Sequence, residues 1–291
     1  MQDFSFFVAD FTNYPLPVYC RHCYFGKYSI QLQKLTVKDK YDIMKKHKLL
    51  AIIAILSLIV VPMSSACESS RNDSSNLDVN AERILWINGT HAVLTLVNGQ
   101  DVATYGGERP SSALERAQRT SLEQWWGITN KEDLDEMVDD LVLGLHNPRF
   151  LEDAEYYGIT EMSEEEFNYE LQFVDSAEDV FFFQKMHDAY TTYGDNAIMG
   201  WDLSRATQLC ANGYIAGYYT YDEAIEKSID ICIIIQATFD SWDEFWDSYM
   251  LGFAYWSEDE SDYNSRMRIL ESLKQDNDSP LHLDWNLNMQ Q

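Results

Sequence analysis

Positive charge is what this chain has least of: 21 Lys and Arg stand against 48 Asp and Glu in 291 residues, a formal net charge of −27. The shortage sharpens beyond residue 66, where 13 basic residues face 44 acidic ones. Such a body repels phosphate backbones and anionic lipid surfaces, so no nucleic acid is expected as a partner. A protein of unknown identity, or a neutral or cationic ligand, fits the global charge. Chemical motifs are also missing. There is no H-E-x-x-H, no G-x-S-x-G elbow and no phosphate loop, and His91, His146, His187 and His282 are scattered without metal-ligand spacing. Neither a metal nor a cofactor is expected, no catalytic residue is indicated, and the balance leans away from an enzyme. Nor is any apolar run long enough to cross a bilayer: Leu49 to Val61 gives 13 residues before Pro62 closes it, against roughly 18 or more for a span.

That short run has a different meaning. Met44-Lys45-Lys46-His47-Lys48 is a basic start, Leu49 to Val61 an apolar centre, and Ser64-Ser65-Ala66 a small-residue cut site, the three parts of a secretory signal over 44–66. A signal is read from a free N-terminus, so residues 1–43 read as an over-extended gene start. The Cys20-x-x-Cys23 pair there has half the ligands of a structural zinc site. Ser65-Ala66-Cys67 also resembles the end of a bacterial lipobox, with Ser64 where a large aliphatic residue is usual, making Cys67 the expected lipidation site. Residues 67–80 open with a Ser/Asn-rich polar run that cannot bury apolar area and reads as a flexible tether. The expectation is an exported protein held to the membrane by an N-terminal lipid rather than a spanning helix; free secretion is the alternative.

Residues 81–279 are long enough for one sizeable core. Within them, Ile84 to Val97 reads as a small hairpin, two short apolar runs around Asn88-Gly89 with Asn98-Gly99 at the exit. From about residue 111 the signals are helical. Ser111 and Asn130 stand where N-caps belong, Gly127 where a helix ends, and Ser163-x-x-Glu166, Thr220-x-x-Glu223 and Ser241-x-x-Glu244 have capping-box spacing. Pro280 ends the helical region, leaving 280–291 as a loosely held tail. The fold class is therefore mainly α: a compact multi-helix domain with a small N-terminal β-hairpin, preceded by a signal segment and a tether.

Phe239, Trp242, Trp246, Tyr249, Phe253 and Trp256 recur at alternating spacings of 3 and 4, the seam of one helix, which reads as core before it reads as a ligand-binding row. In Trp201-Asp202-Leu203-Ser204-Arg205 the acid and base sit one turn apart. They pair with each other as a structural ion pair, or they line a cleft as general base and anion clamp. Cys210 and Cys232 fall on consecutive predicted helices, and both a bridge and two buried thiols are open to them.

Several ordered blocks carry a resemblance. Gly200 to Arg205, Gly213-Tyr214-Ile215-Ala216-Gly217-Tyr218, Phe239-Asp240-Ser241-Trp242 and Tyr249 to Trp256, with Trp125-Trp126-Gly127-Ile128 upstream, resemble the bacterial DUF1266 family over about residues 111–257. The resemblance implies a compact, mainly helical domain of no established activity and supplies no catalytic residue. Asp202, Arg205, Trp201 and Tyr214 are the candidate polar site. Three functions remain open: a binding or interaction module of the cell envelope, favoured by the anchor and the missing catalytic motifs; a hydrolase acting on envelope or other polymer; and an effector or immunity protein in bacterial competition.

Overall fold

The computed structural model describes residues 74–290, with side chains from residue 80 onward. The elements run α1 (Ser74–Thr90), α2 (Ala92–Val97), α3 (Ser112–Trp126), α4 (Lys131–Val142), α5 (Asn147–Tyr156), α6 (Glu164–Leu171), α7 (Ala177–Tyr193), a 3-10 turn, α8 (Met199–Ile215), α9 (Tyr221–Thr238), α10 (Trp242–Ser257), α11 (Glu260–Gln275) and a second 3-10 turn at Pro280–His282. Among the described residues there is no strand, and no helix is long and apolar enough to cross a membrane. The signal segment, the gene-start residues and Cys67 lie outside the described residues.

The local punctuation acts as its chemistry requires. Ser111, Asn130, Ser163, Thr220 and Ser241 each accept a backbone N–H three residues on, relieving donors that a helix start leaves unpaired. The boxes at Ser163 and Thr220 close reciprocally. Glu244 instead reaches one residue further back and accepts from the Asp240 N–H. Gly127 ends α3 at φ +69°, a conformation that costs glycine nothing.

α8 is the centre. It packs against α4, α9 and α10, with α3 touching it as well, while α10 also meets α7 and α11. Close approach is written into two glycines: a Cβ on Gly200 would stand 2.5 Å from the Phe245 carbonyl oxygen, and one on Gly252 would stand 2.4 Å from Trp201 Cβ. The aromatic seam is core for most of its length. Phe239, Trp242, Trp246, Tyr249 and Phe253 are buried, but Trp256 is 53% exposed. A smaller cluster forms around Phe150, Phe167, Met186 and Leu251.

Three expectations are corrected. Residues 84–97 are not a hairpin: they belong to α1 and α2. Asn88-Gly89 lies inside α1, where the missing side chain at Gly89 admits Trp242; a Cβ there would come within 2.8 Å of its ring. Glycine serves packing, not a turn. The first described residues of the proposed tether, from Ser74, are likewise helical backbone. The C-terminal segment is not loose either. Trp285 and Met289 are buried, Trp285 Nε1 donates to the Phe239 carbonyl at 3.2 Å, and Gln236 Nε2 donates to the carbonyls of Trp285 and Leu287. Arg83 on α1 donates to those of Asn288 and Gln290, so the segment is a strap over the core.

Candidate functional site

The acid and base of the Trp201–Arg205 block do not form an ion pair. Asp202 is fully buried and engaged elsewhere. Its Oδ2 accepts the backbone N–H groups of His146 and Asn147 at 3.0 and 3.1 Å, and its Oδ1 accepts from His146 Nδ1 at 2.5 Å. His146 is the N-cap residue of α5 but makes no capping bond with its own side chain. Asp202 therefore caps α5 from another helix, placing a negative charge where free N–H groups and the helix dipole favour it. Asn147 extends the stitch: its Oδ1 accepts from the Ile198 N–H and its Nδ2 donates to the Asp195 carbonyl.

Arg205 is placed differently. Its guanidinium carbon lies 4.3 Å from the ring centroid of Trp126, 4.6 Å from that of Trp201 and 6.0 Å from that of Trp256. Burial lowers its pKa to about 10, with Arg266 acting in the same direction and Tyr249 and Asp202 opposing, so it remains a cation at neutral pH. Among the described residues no carboxylate lies within ion-pair distance of it, and its contacts are the three indoles alone. Cation–π contact is worth roughly 0.5–2 kcal/mol depending on solvation and offsets part of the desolvation. On the other side of the same cluster, Arg266 Nη1 donates to the Tyr249 hydroxyl at 2.7 Å, and its guanidinium sits 3.9 Å from the Phe253 centroid. Trp201 joins the two arginines, its ring 5.2 Å from Tyr249 and 5.8 Å from Phe253.

Tyr214 does not belong to this group. It lies nine residues along α8, about 13 Å at a rise of ~1.5 Å per residue, and packs with Tyr105 and Tyr221. Nearby, Cys210 and Cys232 are buried free thiols, so the bridge is absent; burial pushes Cys210 up to about 12, which makes it inert. Sequence reasoning missed His146, Trp126 and Arg266 as members. Trp126 at least stood in a quoted block; His146 carried no local signal, being 56 positions from Asp202.

The block geometry agrees with a family model that matches residues 121–285 and is described as a protein of unknown function, DUF1266. The chain belongs to the DUF1266 family. No curated protein and no solved structure matches it. The DUF1266 match covers both arginines and all their aromatic neighbours, and it extends past residue 257 to include α11 and the first half of the strap. Elsewhere in the DUF1266 domain, a pocket lined by Met162, Phe167, Gln184, His187 and Thr191 has His187 stacked on Phe167 at 4.0 Å, with its Nε2 buried and unpartnered. Among the described residues no group of three or more His, Cys, Asp or Glu side chains could hold a metal ion.

Proposed function

We propose that this DUF1266 protein is an exported, lipid-tethered binding module of the bacterial cell envelope, and that its binding face is the aromatic cluster around Arg205. The signal grammar of 44–66, Cys67 and the polar run after it support the address. One observation carries the binding reading: a guanidinium among three indoles, one of them half exposed, has no acidic partner. Arginine and tryptophan combine a desolvated charge with large rigid apolar area, the pairing that dominates binding hot spots. Asp202, by contrast, is engaged by the fold.

The test is in the native host with the anchor intact. Photo-crosslinking from position 257, beside Trp256, should capture a discrete partner from the envelope fraction, and Arg205→Gln should abolish the capture without lowering the unfolding midpoint. Capture that persists in Arg205→Gln removes the assignment. Intact-mass measurement of the native protein checks the address, expecting a lipidated chain starting at residue 67.

A second reading has one specific observation behind it. The buried Asp202 carboxylate orients a part-exposed imidazole, His146, whose other nitrogen has no partner among the described residues. That is the orienter-and-base half of a hydrolytic site. His146→Gln would abolish polymer hydrolysis on this reading, and a wild-type rate in that variant would discard it.

A further inference from the structure

The binding-module reading leaves the ligand's chemistry open, and Arg205 narrows it. Stacked indoles cover the faces of a guanidinium, but its N–H donors lie in the plane and point out between the rings. At Arg205 none of these donors has a protein acceptor among the described residues, and at Arg266 only the bond to Tyr249 is made. Asp202 attracts Arg205 but does not touch it, its oxygens already taken by His146 and Asn147. One more donor in the cluster, the indole N–H of Trp201, is buried without an acceptor. Buried donors in folded proteins are nearly always paired. A chain with a net charge of −27 thus sets a guanidinium among three indoles and gives its donors no anion.

We infer that Arg205 binds a carboxylate whose flat apolar body lies against Trp126 and Trp256. The planar fork of arginine matches a carboxylate in a two-bond geometry. Trp256, half exposed at the end of α10, and the part-buried Trp126 at the end of α3 supply aromatic area for the body of the ligand. The global negative charge does not forbid this, because at physiological salt it is screened over about 8 Å, whereas a partly desolvated contact pair is screened far less. Long-range repulsion instead discourages anions that lack the apolar body. The expectation from composition, a neutral or cationic ligand, is thereby reversed at this one site.

This inference rests on the binding-module reading and is tested separately from it with the exported chain and sodium benzoate, followed by tryptophan fluorescence. Benzoate should give a saturable change, acetate should bind at least tenfold more weakly, and the uncharged isostere benzamide should give none. Arg205→Gln should weaken benzoate at least tenfold, Arg205→Lys should fall between, and Trp256→Ala should weaken benzoate while leaving acetate unchanged. Unfolding midpoints confirm that each variant is folded; if Arg205→Gln is not, Arg205→Lys carries the test. Benzamide titrating like benzoate, or Arg205→Gln and Arg205→Lys both binding like wild type, overturns the assignment. If benzoate fails while partner capture is still lost in Arg205→Gln, the carboxylate assignment falls and the module reading stands. If benzoate binds as described while capture is indifferent to Arg205, the site stands and the module reading falls.

Discussion

Asp202 and Arg205 lie one turn apart on α8, yet the carboxylate is enclosed and accepts three hydrogen bonds while the guanidinium stays part-exposed with none. The difference lies in what surrounds each. Asp202 meets a helix start whose N–H groups need an acceptor, so a buried charge and an uncapped helix satisfy each other. Arg205 meets three indoles, which hold a cation by their faces but offer its N–H groups nothing. One charge is consumed by the fold; the other is left available. Opposite charges at helical spacing therefore need not be a pair, even when they attract across the space between them.

The strongest way to break this contrast is to truncate the acid. Asp202→Ala should cost about 3–5 kcal/mol, because it leaves two backbone N–H groups at the start of α5 without an acceptor and takes the partner from a part-exposed imidazole. Urea unfolding measures it, and a loss under about 1 kcal/mol would mean that α5 caps itself. Next, along α10, Trp246→Ala should cost about 3–5 kcal/mol, as a fully buried indole does, while Trp256→Ala should change stability by less than about 1 kcal/mol. Equal thermal shifts for the two would erase the boundary between the buried seam and its exposed end.

His91 adds a third answer to a buried ionisable group. It is buried with Nδ1 unpartnered, and burial lowers its pKa to about 4 from 6.5, so it stays neutral. Between those values the unfolded chain takes up a proton that the folded one refuses. Stability is thus fully present above pH 6.5 and falls as pH drops towards 4, by about 3 kcal/mol. Unfolding measured across that window should show the slope, and His91→Gln should reduce it. The smallest effect sharpens the contrast most: Arg205→Gln should move stability by less than about 1 kcal/mol, since it makes no ion pair and relieves a desolvated charge. A loss near that of Asp202→Ala would make Arg205 structural.

What the sequence made legible follows reach along the chain. The caps at Ser163 and Thr220 and the seam from Phe239 to Phe253 depend on partners three or four residues away, so spacing alone revealed them. The hairpin reading failed because Asn88-Gly89 is a turn signal locally, whereas Gly89 answers to Trp242 on a distant helix. Asp202 was recognised as notable but assigned the wrong partner, since His146 and Asn147 lie more than 50 positions back. The site was half legible: Arg205 and Trp201 stood together in the chain, while Trp126, Trp256 and Arg266 joined them only through the packing of α3 and α10 on α8 and of α11 on α10.

The strap has a consequence for how the molecule is made. Trp86, Trp242 and Trp285 meet with ring centroids 4.6, 5.3 and 5.1 Å apart, and Arg83 fastens to Asn288, 205 positions later. A contact of that span forms late, after the intervening chain has been closed into a loop. Until the strap arrives, Trp86 and Trp242 lack the ring that completes their cluster and Arg83 lacks its two carbonyl acceptors, although α1 already packs on α8 and α9. The ring cluster is therefore complete only once the strap has docked, and a chain cut before Trp285 would leave Trp86 and Trp242 without their third ring.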